Sequence, residues 1–300
     1  MRCDTSAIWM HRHAGRGGGW GDIARAVLNT LLPPRCQACG AVLVNPAPEQ
    51  QNTATAPASR RLGSVAPLKG CLCRDCLQGI GLVQSPKCSC CGLMFAGREG
   101  PDHLCGPCSR DSWKFSRARA AAVFAGSLAD LVHYFKYNGR TGLAFPLGRM
   151  MLGKLRDYWD PAGFDALAPV PLHPRRLRER GFNQSALLLR SWTQVDKKFP
   201  TGVNKRLLAP GLLERIKPTE SQTGLNRQKR VANLKNAFRV SKGSTVAGLR
   251  VLLVDDVFTT GATVNECART LLQAGARRVD VFTLARTQIE YGARNHGKTI

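Results

Sequence analysis

From Arg117 onward the apolar positions recur with two different periods, and their alternation predicts strands separated by helices. Arg117–Phe124 reads as a strand. Ser127–Tyr137 reads as a helix that places Leu128, Leu131, Val132 and Phe135 on one face, with Ser127 and Asp130 spaced as a capping box. A second helix is expected over Phe145–Tyr158, a strand over Phe164–Val170 closed by Pro171, a helix over Ser185–Trp192 and a third strand over Leu207–Ile216. Arg250–Val254 is a continuous aliphatic run, as expected of a strand covered on both faces. After it, Val264, Cys267, Ala268, Leu271 and Leu272 share a helical face that Gly275 ends, and Arg278–Leu284 reads as the last strand. This half of the chain is therefore α/β, with the character of a parallel sheet flanked by helices.

The pattern fails elsewhere. Met1–Gly19 is rich in His, Arg and Gly and is expected to be disordered. Trp20–Leu32 predicts a short docking helix stopped by Pro33-Pro34. Asn45–Leu68, rich in Pro, Ala, Gln and Thr, reads as a disordered insertion. The expected division is an N-terminal extension over 1–30, a cysteine-bearing module over 31–110 with its insertion at 45–68, an α/β domain over 111–287 and a tail over 288–300.

Composition adds charge and sulfur. The 44 basic and 20 acidic residues give a formal charge of +24, which implies anionic partners, either nucleic acid or highly phosphorylated ligands. No apolar run reaches membrane-spanning length, and the glycine-rich N-terminus is no signal-peptide core, so a cytoplasmic protein is the default. Of 12 cysteines, all but Cys267 lie before Arg110. Four Cys-x-x-Cys knuckles can be drawn: Cys36/Cys39, Cys73/Cys76, Cys88/Cys91 and Cys105/Cys108. Two knuckles complete a tetrahedral four-thiolate site, so pairing in chain order gives two structural Zn²⁺ sites. Disulfides are the rival reading, which a reducing compartment disfavours. Cys71 and Cys90 are spare, and Cys71 or His103 stands close enough in sequence to substitute in a site.

The candidate chemistry concentrates at Val251–Thr263. A buried strand leads into Asp255 and Asp256, then into the loop Thr259, Thr260, Gly261, Ala262 and Thr263 that opens a helix. A loop between a strand's C-terminal end and a helix N-terminus has free backbone amides and a favourable dipole for phosphate. Gly261 allows close backbone approach, and the threonines add hydroxyl donors. Ionised carboxylates only accept, so Asp255 and Asp256 suit sugar hydroxyls, directly or through a divalent cation. A second stretch, Pro171–Gln184, reads as a basic loop carrying Arg175, Arg176, Arg178 and Arg180, suited to pyrophosphate. His173 there is open to either a ligand contact or a structural role. Lys217–Phe238, with Gln222, Arg227, Arg230 and Asn233, has the polar, Gly-interrupted start of a mobile lid, or of an exposed linker.

The run of four apolar residues, two acidic residues and Thr-Thr-Gly-x-Thr resembles the phosphoribosyl-pyrophosphate (PRPP) signature of type I phosphoribosyltransferases. With the knuckles ahead of it, the order of loops resembles the ComF family of competence-associated phosphoribosyltransferase-like proteins over Leu31–Arg286. The likeness rests on Pro33-Pro34-Arg35-Cys36-x-x-Cys39, Lys136-Tyr137, Val170-Pro171-Leu172-His173, Arg180-Gly181-Phe182-Asn183-Gln184, Gln222-Thr223-Gly224-Leu225 and Arg230-x-x-Asn233, besides the signature. The long N-terminal extension and the 45–68 insertion depart from the compact family pattern. The resemblance implies a type I phosphoribosyltransferase fold behind a double zinc ribbon, PRPP binding with Mg²⁺, and a part in DNA uptake during natural transformation beside the competence machinery. Carried over by residue, it makes Asp255 and Asp256 the catalytic pair at the ribose, and Thr259, Thr260, Gly261, Ala262 and Thr263 the 5′-phosphate loop. Arg175, Arg176 and Arg180 would serve the pyrophosphate, with Lys136, Gln222 and Arg230 as further substrate-binding groups. It leaves the acceptor and the oligomeric state open. The alternative is a non-catalytic accessory that binds single-stranded DNA and keeps a regulatory or vestigial PRPP site.

Overall fold

Short runs of small and branched apolar residues, nearly all out of solvent, make the sheet on which the molecule is built. The computed structural model describes residues 33–43, 63–97, 99–110, 113–194, 207–218 and 234–288. In chain order these form α1 (Arg74–Gln78), α2 (Gly106–Arg110), β1 (Ala118–Val123), α3 (Gly126–Tyr137), α4 (Ala144–Leu155), β2 (Ala166–Pro169), α5 (Pro174–Arg180) and α6 (Gln184–Gln194). Then follow β3 (Leu213–Arg215), β4 (Phe238–Val240), β5 (Arg250–Phe258), α7 (Ala262–Gln273) and β6 (Arg278–Arg286). Four strands, in the order β1-β6-β5-β2, pair in parallel throughout.

Because side chains alternate along a strand, β5 feeds two cores at once. Leu252 and Val254 join Leu131, Phe135, Leu147, Met150, Leu188 and Trp192 on one face, under α3, α4 and α6. Val251 and Leu253 join Val264, Cys267, Leu271 and Val279 on the other, under α7. The first cysteine stretch packs on the former face through Cys36, Leu68, Leu72, Leu77 and Ile80, and the second on the latter through Cys88, Cys91, Cys105 and Phe115.

Three expectations change. The segment ending at Leu68 is structured where it is described: Ala66–Leu68 is a 3-10 turn, and Val65 and Leu68 are buried. Apolar contact outweighs the polar composition upstream. No capping box forms at α3, which begins one residue earlier than expected. Its cap is Ala125, with no side-chain bond, and Ser127 Oγ instead donates to the Cys76 carbonyl at 2.6 Å. The third strand is split: Leu208 makes a single parallel bridge to Leu167 of β2, while β3 pairs antiparallel with β4 in a separate two-stranded ribbon. The extension over 1–30, residues 45–62 of the insertion, most of the candidate lid and residues 289–300 lie outside the described residues.

Helices α4 and α6 cross where Gly148 meets Ser191. A Cβ there would lie 1.8 Å from Ser191 Oγ and 2.8 Å from the Leu188 carbonyl oxygen. Gly148→Ala is therefore expected to lower the unfolding free energy by about 1–3 kcal/mol through overpacking. Urea denaturation measures this, and an unchanged midpoint contradicts the close crossing.

Candidate functional site

The helices after β2 and β5 pack on opposite faces of the sheet, α6 on one and α7 on the other. Their connecting loops diverge, so the C-terminal ends of these neighbouring strands open a crevice, the usual ligand position in a parallel α/β sheet. The register Pro169↔Val254 sets the loop after β2 beside Asp255.

Three elements converge on the two carboxylates. Lys136, in the last turn of α3, places Nζ 2.8 Å from Asp256 Oδ1, with both side chains largely out of solvent. Ser185, in the first turn of α6, donates through Oγ to Asp255 Oδ1 at 2.8 Å, and the Asp256 backbone N–H donates to the same oxygen at 2.9 Å. Burial and the adjacent Asp256 carboxylate nonetheless push Asp255 up to about 7, against those two hydrogen bonds and Lys136. Burial disfavours the Lys136 ammonium, but Asp256 more than offsets it, and Lys136 is held above the ordinary lysine range.

Beyond the carboxylates the backbone turns at Gly261, whose φ of 78° makes it a left-handed N-cap for α7. A Cβ at that position would fall 2.5 Å from Phe258 Cζ, so both conformation and space require glycine. The side chains of Thr259, Thr260 and Thr263 stay at least partly accessible around the helix start, while Ala262 is buried.

The basic stretch is not the loop expected from sequence. It contains the two-turn helix α5, started by Pro174 and by His173, whose Nδ1 accepts from the Arg175 N–H at 3.2 Å. His173 thus has a capping role. Arg175 is exposed and pairs with Glu179 of its own helix at 3.1 Å, and the Arg180 guanidinium lies 5.0 Å above the exposed Tyr137 ring. Asn183 connects this segment to the carboxylates. Its Nδ2 donates to the Val170 carbonyl at 3.0 Å, and its Oδ1 accepts from the N–H groups of Ser185 and Ala186. Asn183 therefore fixes the start of α6, and with it Ser185.

Lys136, Asp255 and Asp256 are brought together, and the Thr259–Thr263 loop follows directly. Gln222 and Arg230, with Arg227 and Asn233, lie outside the described residues. Two groups escaped the sequence reading. Ser185 was readable only as the third residue of Asn183-Gln184-Ser185. Arg215, in β3, had no pattern to mark it. Its guanidinium lies 5.6 Å from the Phe238 ring, and burial lowers it below the ordinary arginine range. Cys267 and, more weakly, Asp255 oppose that lowering, and Arg176 adds to it.

The knuckles assemble in chain order. The sulfurs of Cys36, Cys39, Cys73 and Cys76 lie within 4.8 Å of one another, as do those of Cys88, Cys91, Cys105 and Cys108. Backbone amides of Cys91 and Cys105 both point at Cys88 Sγ, at 3.4 Å each, the kind of donor a thiolate ligand accepts. Each donor set fits a structural zinc ion. Cys71, Cys90 and His103 stay out of both groups. Burial pushes the Cys71 thiol up to about 11, and the His103 ring stacks on Phe95 at 3.9 Å. Two arginines tie the second group to the sheet. Arg119 of β1 donates to the Cys88, Ser89 and Cys90 carbonyls, and Arg286 of β6 donates to that of Cys91.

Comparison with known proteins agrees with this architecture. A family profile described as "Phosphoribosyl transferase domain" matches residues 210–299. The chain is 35% identical over 206 residues to the DNA utilization protein YhgH of Salmonella typhimurium, covering 67% of this chain and 84% of that one. It belongs to the ComF/YhgH family of competence proteins. Other members are more distant: Competence protein F of Haemophilus influenzae is 29% identical over 233 residues, covering 75% of this chain and 94% of that one. Competence protein ComFC of Streptococcus pneumoniae is 26% identical over 230 residues, covering 72% and 88%. This ComF/YhgH-family chain thus carries a phosphoribosyltransferase-like domain behind two four-cysteine clusters. No helix among the described residues is long and apolar enough to cross a membrane.

Two outcomes follow from these centres. Lys136→Met leaves Asp256 without its cation beside a second carboxylate and is expected to cost about 3 kcal/mol of stability. Adding Asp256→Asn should recover part of that loss in the denaturation midpoint, and equal midpoints for all three proteins contradict the ion pair's role. Metal analysis should find close to two equivalents of zinc. Cys39→Ser with Cys73→Ser should remove only one of them, and loss of both or neither contradicts the independence of the clusters.

Proposed function

We propose that this protein binds PRPP with Mg²⁺ at the C-terminal ends of β2 and β5 and transfers its phosphoribosyl group to a nitrogen acceptor, in support of DNA uptake. The observation that carries this reading is the order of groups around one crevice: paired carboxylates on β5, a lysine against them, and a glycine-turned threonine loop at a helix N-terminus. Asp255 and Asp256 accept the ribose hydroxyls. The amides and hydroxyls of Thr259 to Thr263 receive the 5′-phosphate, and Gly261 lets the backbone approach it. Arg175, Arg176 and Arg180 present positive charge to the pyrophosphate, joined by Gln222 and Arg230 of the candidate lid. Mg²⁺, when bound, supplies further neutralisation of the departing pyrophosphate. Attack by the nitrogen on the anomeric carbon breaks the bond to pyrophosphate. A cation-like ribose forms, which the carboxylates stabilise electrostatically. No side chain stands out as a general base, so positioning carries most of the rate. Free thiolates that hold zinc persist best in a reducing compartment, which supports a cytoplasmic location.

A second reading, a single-stranded-DNA-binding accessory, is favoured by one feature. The exposed Tyr137 ring lies under the Arg180 guanidinium, a stacking surface next to positive charge on a chain of net charge +24. Calorimetry separates the two. Wild type should bind PRPP saturably with Mg²⁺, and Asp255→Asn with Asp256→Asn should abolish that binding while leaving single-stranded DNA affinity nearly unchanged. No saturable binding by wild type sinks the ligand reading. DNA affinity that does not fall with salt sinks the electrostatic one.

A further inference from the structure

The second cysteine cluster and the threonine loop share a single physical support. Trp113, five residues after Cys108, donates its indole N–H to Cys108 Sγ at 3.1 Å. Its ring stacks on Phe115 with centroids 5.1 Å apart and meets Phe258 edge-on at 6.5 Å. The same indole lies under the loop, since a Cβ on Gly261 would come within 3.1 Å of Trp113 Cζ3. One residue on, the Lys114 N–H donates to Asn265 Oδ1 at 2.7 Å, in the first turn of α7. Arg286, which donates to the Cys91 carbonyl, lies 4.6 Å over the Phe258 ring. The first cluster runs elsewhere, through the Cys76 carbonyl to Ser127 of α3 and through Gln37 to Arg140.

A metal-bound cysteine remains a thiolate, and a thiolate accepts an N–H bond more strongly than a neutral thiol. We propose that Trp113 is a positioning residue that couples the second cysteine cluster to the Thr259–Thr263 loop. Metal held by Cys88, Cys91, Cys105 and Cys108 keeps Cys108 a strong acceptor and the indole fixed. The indole and Phe258 then hold the turn at Gly261 in the shape that presents the amides of α7's first turn. The two clusters are therefore not equivalent: the second supports the loop, and the first supports the face under α3 and α4. The consequence for ligand affinity rests on reading this loop as the phosphate site; the coupling itself does not.

Hydrogen–deuterium exchange on the full, metal-loaded chain tests the coupling without any ligand. In Trp113→Phe, which keeps an aromatic ring and removes the N–H donor, the amides of Thr259 to Val264 should exchange about fivefold faster, with two zinc equivalents retained and α4 unchanged. Cys105→Ser should accelerate the same amides, whereas Cys39→Ser should accelerate exchange around Leu68 to Ile80 and leave the loop alone. Calorimetry in parallel should show PRPP–Mg²⁺ affinity weakened by a similar factor in Trp113→Phe. Wild-type exchange in Trp113→Phe overturns the proposal, as does equal acceleration of the loop by Cys39→Ser. If wild type binds no PRPP while the exchange pattern appears as described, the ligand reading falls and the coupling stands.

Discussion

Two adjacent carboxylates at the buried end of a central strand are an unfavourable pairing, and much of the molecule around them serves to hold it. Asp255 and Asp256 sit on β5, where burial and the adjacent Asp256 carboxylate both penalise ionisation of Asp255. Lys136 comes from the end of α3, Ser185 from the start of α6, and the Asp256 amide from the strand itself. Each partner depends on packing far from the site. Lys136 is delivered by a helix whose Leu131 and Phe135 are locked in the core, and Ser185 by a helix whose first turn Asn183 caps. A carboxylate pair kept in this condition stands to gain from hydroxyl donors or a cation, which is the basis of the proposed ligand chemistry.

The cysteine clusters extend the same logic outward. They are small and cannot bury much surface alone, and each rests on a different face of the sheet. On the side of the second cluster the contact is made by buried arginines that satisfy knuckle carbonyls, and by the Trp113–Phe115–Phe258 aromatic group. The cluster and the α/β half of the fold therefore share a core rather than standing as beads on a string.

Legibility differed by element for physical reasons. β5 and α7 were readable because a strand buried on both faces must be uniformly apolar and an amphipathic helix must repeat every three to four residues. The sulfur groups were readable because two residues between cysteines fix where both thiolates point. The short helix α5 was read as a loop because its charged residues give no apolar period, and what makes it helical is His173 and Pro174 at its start. The Ser127–Asp130 spacing suggested a cap, but the helix began one residue earlier and a nearby carbonyl took the hydroxyl.

The sequence by itself determined the α/β class, the threonine loop after paired carboxylates and the grouping of eight cysteines, because each follows from spacing within a short stretch. Tertiary structure decided that Lys136 faces Asp256, that Ser185 bonds Asp255, and that Trp113 links Cys108 to Gly261. Apart from Cys108 and Trp113, five residues from each other, those contacts join residues 70 or more apart in the chain, and no local period or spacing encodes a partner at that distance.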